Sequence, residues 1–384
     1  MFEKLTNTME NAVKFGVPGC DCVVYHKGKC VYRHFVGSSS REENIPMNGK
    51  ELYNIYSSSK LITCVAAMQL WEKGLFDLED DLCKYMPEFT DMKVREEDGT
   101  IRPAKNRIKI KHLFAMSAGF DYNVNSDAIL KAKKETDGRC PTREVIKYLA
   151  EEPLNFEPGE KWRYSMCHDI LAALVEVLTG ERFGTYVKKN IFDVLGMENS
   201  TFLLDDNELY KVAEQYRYHA DATEELNELD PEADKYRGCG GFENVGKKVQ
   251  TYKFGSEYES GGAGCLSTVD DYIKLLEALR MGDVILKAET LDMMSINQFK
   301  HEQLDLFWER DNGYGYGLGI KCPFDNNSPL TNVGWGGAAG SHWFIDKKNA
   351  ITMYYSQHVL SMPSIGLGEN LTTITTEIIK ENEK

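Results

Sequence analysis

Ser57 and Lys60 stand three residues apart in the stretch Asn54-Ile55-Tyr56-Ser57-Ser58-Ser59-Lys60. On a helix that spacing puts both side chains on one face, about one turn apart. A serine hydroxyl is a weak nucleophile until a neighbouring base takes its proton. A lysine in a poorly solvated site can shed its charge and serve as that base. The pair is therefore equipped for acyl transfer through a serine ester. Ser58 and Ser59 are rivals in type only, because Ser57 alone has the one-turn relation to Lys60. In isolation the pattern is also that of a serine N-cap followed by a surface lysine, so its weight depends on the rest of the chain.

The run from Leu61 to Trp71 is apolar nearly all round, which predicts a buried helix closed by Lys73-Gly74. Ser57 and Lys60 thus fall at its N-terminus, where free N–H groups and the positive dipole end collect. Ahead of it, residues 1–15 read as an amphipathic helix. Cys22–Tyr25 and Cys30–Phe35 flank His26-Lys27-Gly28-Lys29 as a hairpin. Behind it, Ile108 to Gly119 reads as a strand entering a helix, and helices follow at Pro141–Leu149, His168–Thr179 and Tyr186–Leu195. Asn207 to Glu259 is polar and charge-rich and reads as long surface loops over a cleft. Thr268 N-caps a helix to Arg280. The glycines of Gly313–Ile320 give a strand with one face open to close backbone approach. His342–Asp346 and Ala350–Ser356 are further strands, and Thr372–Lys380 is a closing helix. Strand signals at both ends and helices between them predict a mixed α/β (α+β) fold. The sheet domain would span 1–72 and 260–384, with a helical and loop-rich insertion at 73–259 and the active site in the cleft between them.

The 384 residues, 42% of them hydrophobic, can bury a sizeable core. A net charge of −15 disfavours nucleic acid and anionic membrane surfaces. No stretch is long and apolar enough to span a membrane. The opening Met1-Phe2-Glu3-Lys4-Leu5 is polar where a signal peptide has an apolar run, so a cytoplasmic location is expected. The 10 cysteines are scattered without a CxxC pair, which predicts neither disulfides nor a zinc site. His301-Glu302 has no second histidine at helical spacing, which argues against a zinc protease. No Gly-x-Ser-x-Gly elbow occurs, and His112, His168 and His342 read as structural rather than as triad members. Ser126-Asp127-Ala128 reads as a loop N-cap.

Several patterns then recur in a fixed order. Gly16-Val17-Pro18-Gly19 precedes the first hairpin. Ile110-Lys111-His112-Leu113 precedes Ser117-Ala118-Gly119, and Pro158-Gly159 precedes Tyr164-Ser165. Leu195-Gly196-Met197 and Gly261-Gly262-Ala263-Gly264-Cys265-Leu266-Ser267-Thr268 follow. With Ser57-x-x-Lys60, the chain resembles the serine β-lactamase and penicillin-binding-protein superfamily over almost its whole length. It resembles in particular the class C β-lactamase-like esterases, the family VIII carboxylesterases. The resemblance implies a β-lactamase/transpeptidase-like fold with a central antiparallel sheet drawn from both termini.

It also implies roles. Ser57 would be the nucleophile, and Lys60 with Tyr164 the base system. The backbone N–H groups of Ser57 and Ala338 would form the oxyanion hole. Trp335, Gly336, Gly337 and Met166 would line the substrate site, with Trp335 an apolar wall. Met166 stands where lactamases carry a substrate-contacting asparagine, and Trp335 where they carry a cation for the substrate carboxylate. Both departures, with Asp169 after Tyr164-Ser165, resemble the esterase and acyltransferase branch. The implied function is hydrolysis or transfer of a small to medium acyl group from an ester through an acyl-Ser57 intermediate, without a cofactor. Alternatives are an amidase such as a D-aminopeptidase or weak β-lactamase, an acyltransferase to a specific alcohol, and a non-catalytic binding protein.

Overall fold

The computed structural model describes residues 1–219, 241–247, 252–325, 333–361 and 367–383. Helix α1 (Glu3–Phe15) buries Leu5, Met9 and Ala12 along one face, as its periodicity predicts. Strands β1 (Gly19–His26) and β2 (Lys29–Ser40) form the expected hairpin. Lys27 and Gly28 take φ of 51° and 78°, the left-handed geometry of a two-residue turn that matches strand twist. After β3 (Ile45–Pro46) the chain enters α2 (Ser59–Glu72), whose residues are buried from Ser59 to Leu70. Three elements follow at a distance: α3 (Cys167–Thr179), α4 (Val269–Met281) and the C-terminal α5 (Leu367–Asn382). Thr268 caps α4 by accepting from the Asp271 N–H at 3.1 Å.

Five strands complete the sheet: β4 (Tyr314–Tyr316), β5 (Lys321–Pro323), β6 (Val333–Gly336), β7 (His342–Asp346) and β8 (Ile351–Ser356). The spatial order is β4-β5-β6-β7-β8-β1-β2-β3, with every neighbouring pair antiparallel. The sheet is therefore drawn from both termini, closed where Asp21 of β1 meets Ser356 of β8. Both faces are covered, so the central strands are apolar on both sides rather than alternating with polar residues. Cys22 and Val24 pack with Met353, Tyr355, Leu371 and Ile374 under α1 and α5. Val23 and Tyr354 face the opposite core, which contains α2, α3 and α4.

Two expectations change. Ile108–Lys109 makes only a lone bridge between Lys109 and Asp81, and the chain turns directly into a short helix at Ile110–Phe114. The Ile-Lys-Ile-Lys alternation mimics a strand. Its amides instead meet the Asp80 and Leu78 carbonyls at 3.0 Å, and His112 Nδ1 accepts from the Lys109 N–H. The stretch read as continuous loop from Asn207 holds a 3-10 turn at Asp206–Lys211 and paired strands at Tyr216–Tyr218 and Phe242–Asn244. The first of these also pairs in parallel with Val359–Leu360. Residues 220–240 and 248–251 of that stretch lie outside the described residues. Among the described residues no helix is long and apolar enough to cross a membrane.

Candidate active site

Tyr53-Asn54 pairs with Leu266-Ser267, and the Ile55 N–H donates to the Cys265 carbonyl at 3.1 Å. This fixes the chain just ahead of Ser57. Tyr56 then adopts φ 46°, a left-handed conformation that costs a non-glycine residue energy and that its surroundings must enforce. Its buried phenol is held by a 2.7 Å hydrogen bond donated to Gln215 Oε1. Tyr56–Ser58 forms one 3-10 turn that runs straight into α2. Ser57 and Lys60 come to the same side, as their spacing predicts.

Lys60 is fully buried. Its Nζ donates to the Gly262 carbonyl at 2.6 Å and to Ser57 Oγ and Tyr122 Oη at 3.3 Å each. Three oxygens thus match the three donors of an ammonium. The same Nζ lies 4.7 Å from the Tyr164 ring centroid and 5.0 Å from that of Tyr122. The two rings stack with centroids 5.2 Å apart and planes 16° apart. Tyr164 Oη is hydrogen-bonded to Ser57 Oγ. Tyr164 sits three residues ahead of α3, so that helix presents its hydroxyl at the serine. Burial first, then the Asp169 carboxylate, push the Tyr122 phenol well above its ordinary value. Tyr122 is therefore a neutral hydroxyl beside the lysine.

Asp169, in the first turn of α3, supports the loop that supplies the Gly262 carbonyl. Its Oδ1 accepts from Ser260 Oγ at 2.6 Å and from Tyr258 at 2.9 Å. Burial raises its carboxyl above the usual range, against the Ser260 hydrogen bond and the Lys60 charge, which pull it back. The loop has no room for side chains. A Cβ on Gly261 would lie 2.4 Å from the His168 carbonyl, and one on Gly262 2.5 Å from both Asp169 Oδ2 and Tyr122 Oη.

Strand β6 forms the opposite wall. A Cβ on Gly337 would lie 2.2 Å from the Ile55 carbonyl oxygen, so glycine lets the strand end rest against the turn that carries Ser57. Ser341 joins the two, donating to the Ile55 carbonyl at 3.0 Å and hydrogen-bonding Ser58 Oγ at 2.9 Å. Trp335 lies nearly parallel to Tyr164 at 6.0 Å. Ser57, Tyr164, Trp335, Gly336, Gly337 and Ala338 all border one cleft of about 330 Å³. Tyr252 and the exposed Trp308 add aromatic surface, and Glu309, Lys321 and His342 close its far end.

Of the residues singled out in the sequence, Met166 is the one that the structure removes from the cleft. Its side chain is 1% exposed and packs in the core, and its N–H donates to the Asp121 carbonyl at 3.1 Å. Residue 166 initiates α3, which turns its side chain inward. His112 and His168 are internal, the latter bonding the Phe114 carbonyl at 3.1 Å, whereas His342 borders the cleft. Ser126 caps a helix by accepting from the Ile129 N–H. Tyr122, Tyr252, Trp308 and Ser341 went unseen in the sequence. Only Tyr122 had a usable signal, three residues beyond Ser117-Ala118-Gly119. Among the described residues no group of three or more His, Cys, Asp or Glu side chains could hold a metal ion.

Comparison with known proteins agrees with this architecture. A family model described as Beta-lactamase matches residues 5–363. The esterase EstB of Burkholderia gladioli is 27% identical over 343 residues, covering 86% of this chain and 83% of that protein. The lovastatin esterase of Penicillium rubens is 29% identical over 366 residues, covering 85% of each. Among solved structures, EstCE1, a hydrolase with promiscuous acyltransferase activity, superimposes with a TM-score of 0.75 at 24% identity over 97% of both chains.

Proposed function

The chain belongs to the beta-lactamase family, and from that premise we propose that it is a serine hydrolase that cleaves small to medium carboxylic esters through an acyl-Ser57 intermediate. The observation that carries this reading is the convergence of Lys60 Nζ and Tyr164 Oη on Ser57 Oγ at the base of an open cleft. The esterases of Burkholderia gladioli and Penicillium rubens, similar over most of their lengths, support it. Residues 1–72 and 260–384 would form one unit around the insertion 73–259, with Tyr122 and Tyr164 reaching across from the insertion to Ser57.

With the three lysine donors turned to Gly262, Tyr122 and Ser57, the proton of Ser57 is directed to Tyr164 Oη. Tyr164 enters the step as the phenolate, with the Lys60 ammonium beside its ring, and becomes the neutral phenol by receiving that proton as Ser57 Oγ attacks the ester carbonyl. The carbonyl oxygen, now an anion, is held by the N–H groups of Ser57 and Ala338; such donors are worth roughly 3 kcal/mol of barrier each. Collapse expels the alcohol, which takes the proton back from Tyr164. Water attacks the acyl-Ser57 carbonyl by the same route and releases the acid. Trp335 forms the apolar wall, and Gly336 and Gly337 let the acyl group lie against the backbone.

The nine described cysteines are free thiols, which fits a reducing compartment and a cytoplasmic site of action. Hydrolysis of p-nitrophenyl butyrate by the wild type and by Ser57→Ala tests the reading. The mutant should lose at least about a thousandfold in kcat/KM. Equal rates in the two proteins would remove Ser57 from the mechanism. The aromatic walls Tyr164, Tyr252, Trp308 and Trp335 favour a second outcome for the same intermediate, transfer to an added alcohol in place of water. Product analysis in the presence of that alcohol would separate new ester from free acid.

A further inference from the structure

His342, the first residue of β7, borders the far end of the catalytic cleft. Its cross-strand partner on β6 is Gly336. Directly paired residues of an antiparallel sheet share a face, so a side chain at 336 would stand beside the imidazole. Glycine leaves that flank open. Among the described residues a Cβ on Gly336 would meet only the Ser341 carbonyl oxygen at 2.9 Å and His342 Nδ1 at 3.8 Å. The opposite flank is closed by α5. A Cβ on Gly368 would lie 2.3 Å from His342 Cβ and 2.5 Å from its Cγ, so the bare helix start rests on the ring. The imidazole is thus fixed between a helix and a strand without side chains, with Nδ1 on the strand side.

The neighbours decide which nitrogen carries the proton. His342 Nε2 lies 3.1 Å from Thr372 Oγ1. The Thr372 hydroxyl has one proton, and it is donated to the Gly368 carbonyl at 3.0 Å. Toward the histidine Thr372 therefore only accepts, so Nε2 holds the hydrogen and Nδ1 a lone pair. Burial, helped by the Lys321 charge, pushes the imidazole down to about 3, so the ring is neutral in ordinary buffers. Among the described residues Nδ1 has no hydrogen-bond partner. A site that presents a fixed acceptor favours a ligand that donates to it and discriminates against the analogue that cannot. Gly336 and the oxyanion donor Ala338 are two residues apart, at most about 7 Å of chain. An acyl arm of about six bonds from the ester carbonyl covers that span.

We propose that His342 is a specificity-determining residue, and that the esters turned over at Ser57 carry a hydroxyl near the end of the acyl arm, which passes Gly336 and donates to His342 Nδ1. This rests on the ester-hydrolase reading and narrows it to hydroxyacyl esters. Thr372 then acts through His342, holding the tautomer in which Nδ1 accepts.

The test compares esters that differ only in whether the arm can donate. The p-nitrophenyl ester of 6-hydroxyhexanoate is set against that of 6-methoxyhexanoate, whose ether oxygen accepts but does not donate, with p-nitrophenyl hexanoate as the plain substrate. The readout is the ratio of kcat/KM values, hydroxyl over methyl ether, within one protein preparation. The ratio is indifferent to how much of a variant has folded. In the wild type it should exceed one. In His342→Leu it should fall by about fivefold or more. In Thr372→Val it should also fall, although Thr372 is not among the residues that line the cleft, because Nε2 loses the acceptor that holds its hydrogen. A wild-type ratio of one or less, or a ratio unchanged by both substitutions, would overturn the assignment of His342 while leaving the ester-hydrolase reading intact. Absence of turnover for all three esters would instead overturn that reading and this one with it.

Discussion

Lys60 is a buried cation whose three donors are matched by oxygens from three separate parts of the chain. Such a network is expensive to leave incomplete, and it fixes where Ser57 Oγ points. The residues that do this were only partly legible in the sequence. Ser57 and Lys60 are linked by helical spacing, so local periodicity finds them. Tyr164 and Trp335 to Ala338 were reached through family motifs, because no local rule ties them to Ser57. Tyr122 and Ser341 were missed because a tyrosine or serine in a loop has no periodic signature and acts here only through distant contacts. Met166 shows the opposite failure, since alignment with a lactamase asparagine placed it at the substrate while its burial places it in the core. Met166→Asn should therefore create no turnover of a chromogenic cephalosporin. It should instead lower stability by about 2–3 kcal/mol, the cost of burying an unpaired amide, read as a drop in thermal midpoint.

At the level of elements, the site depends on two close approaches that only glycine permits. Strand β6 rests on the Ile55 carbonyl through Gly337, and the Gly261-Gly262 loop rests on α3. Gly337→Ala should push the strand end away from the Ser57 turn. A displacement of about 1 Å in such a site costs roughly a hundredfold in kcat/KM. Steady-state kinetics on p-nitrophenyl butyrate, with a thermal scan to confirm folding, would check this; an unchanged kcat/KM would mean that the strand end is not held as described. The long elements were readable in the sequence because an apolar periodicity marks α1, a continuous apolar run marks α2 and the Thr268 N-cap marks the start of α4. The short ones were not. Ile108–Lys111 alternates like a strand but the Ile110 and Lys111 amides are claimed by the Asp80 and Leu78 carbonyls, and Tyr216–Tyr218 is a strand only because Phe242–Asn244 and Val359–Leu360 come to lie beside it.

Across the whole molecule, burial also sets how the protein responds to acid. It pushes the His168 imidazole down from 6.5 to about 3, with the Lys60 charge adding to the effect, and His358 down to about 4. Both rings are neutral in the folded protein, whereas the unfolded chain takes up their protons near pH 6.5. Their contribution is complete above that pH and is lost as the pH falls through about 4 and 3. Each imidazole should cost about 1.4 kcal/mol per pH unit within its window. Denaturant unfolding between pH 7 and 4 should show stability falling, and His358→Gln should flatten the slope by one proton; an equal slope in both would mean that His358 is protonated in the fold. The sheet was legible as a sheet from both ends, because strand signals cluster there, but its order was not, since Asp21 meets Ser356 through contacts that no local pattern records. That pairing has a consequence for biosynthesis. Ser57 and Lys60 leave the ribosome long before Ala338 and the strand that seats β1. Under the proposed mechanism a nascent chain thus carries its nucleophile before the anion pocket beside it, and would stay silent toward esters until Ala338 and β8 have emerged.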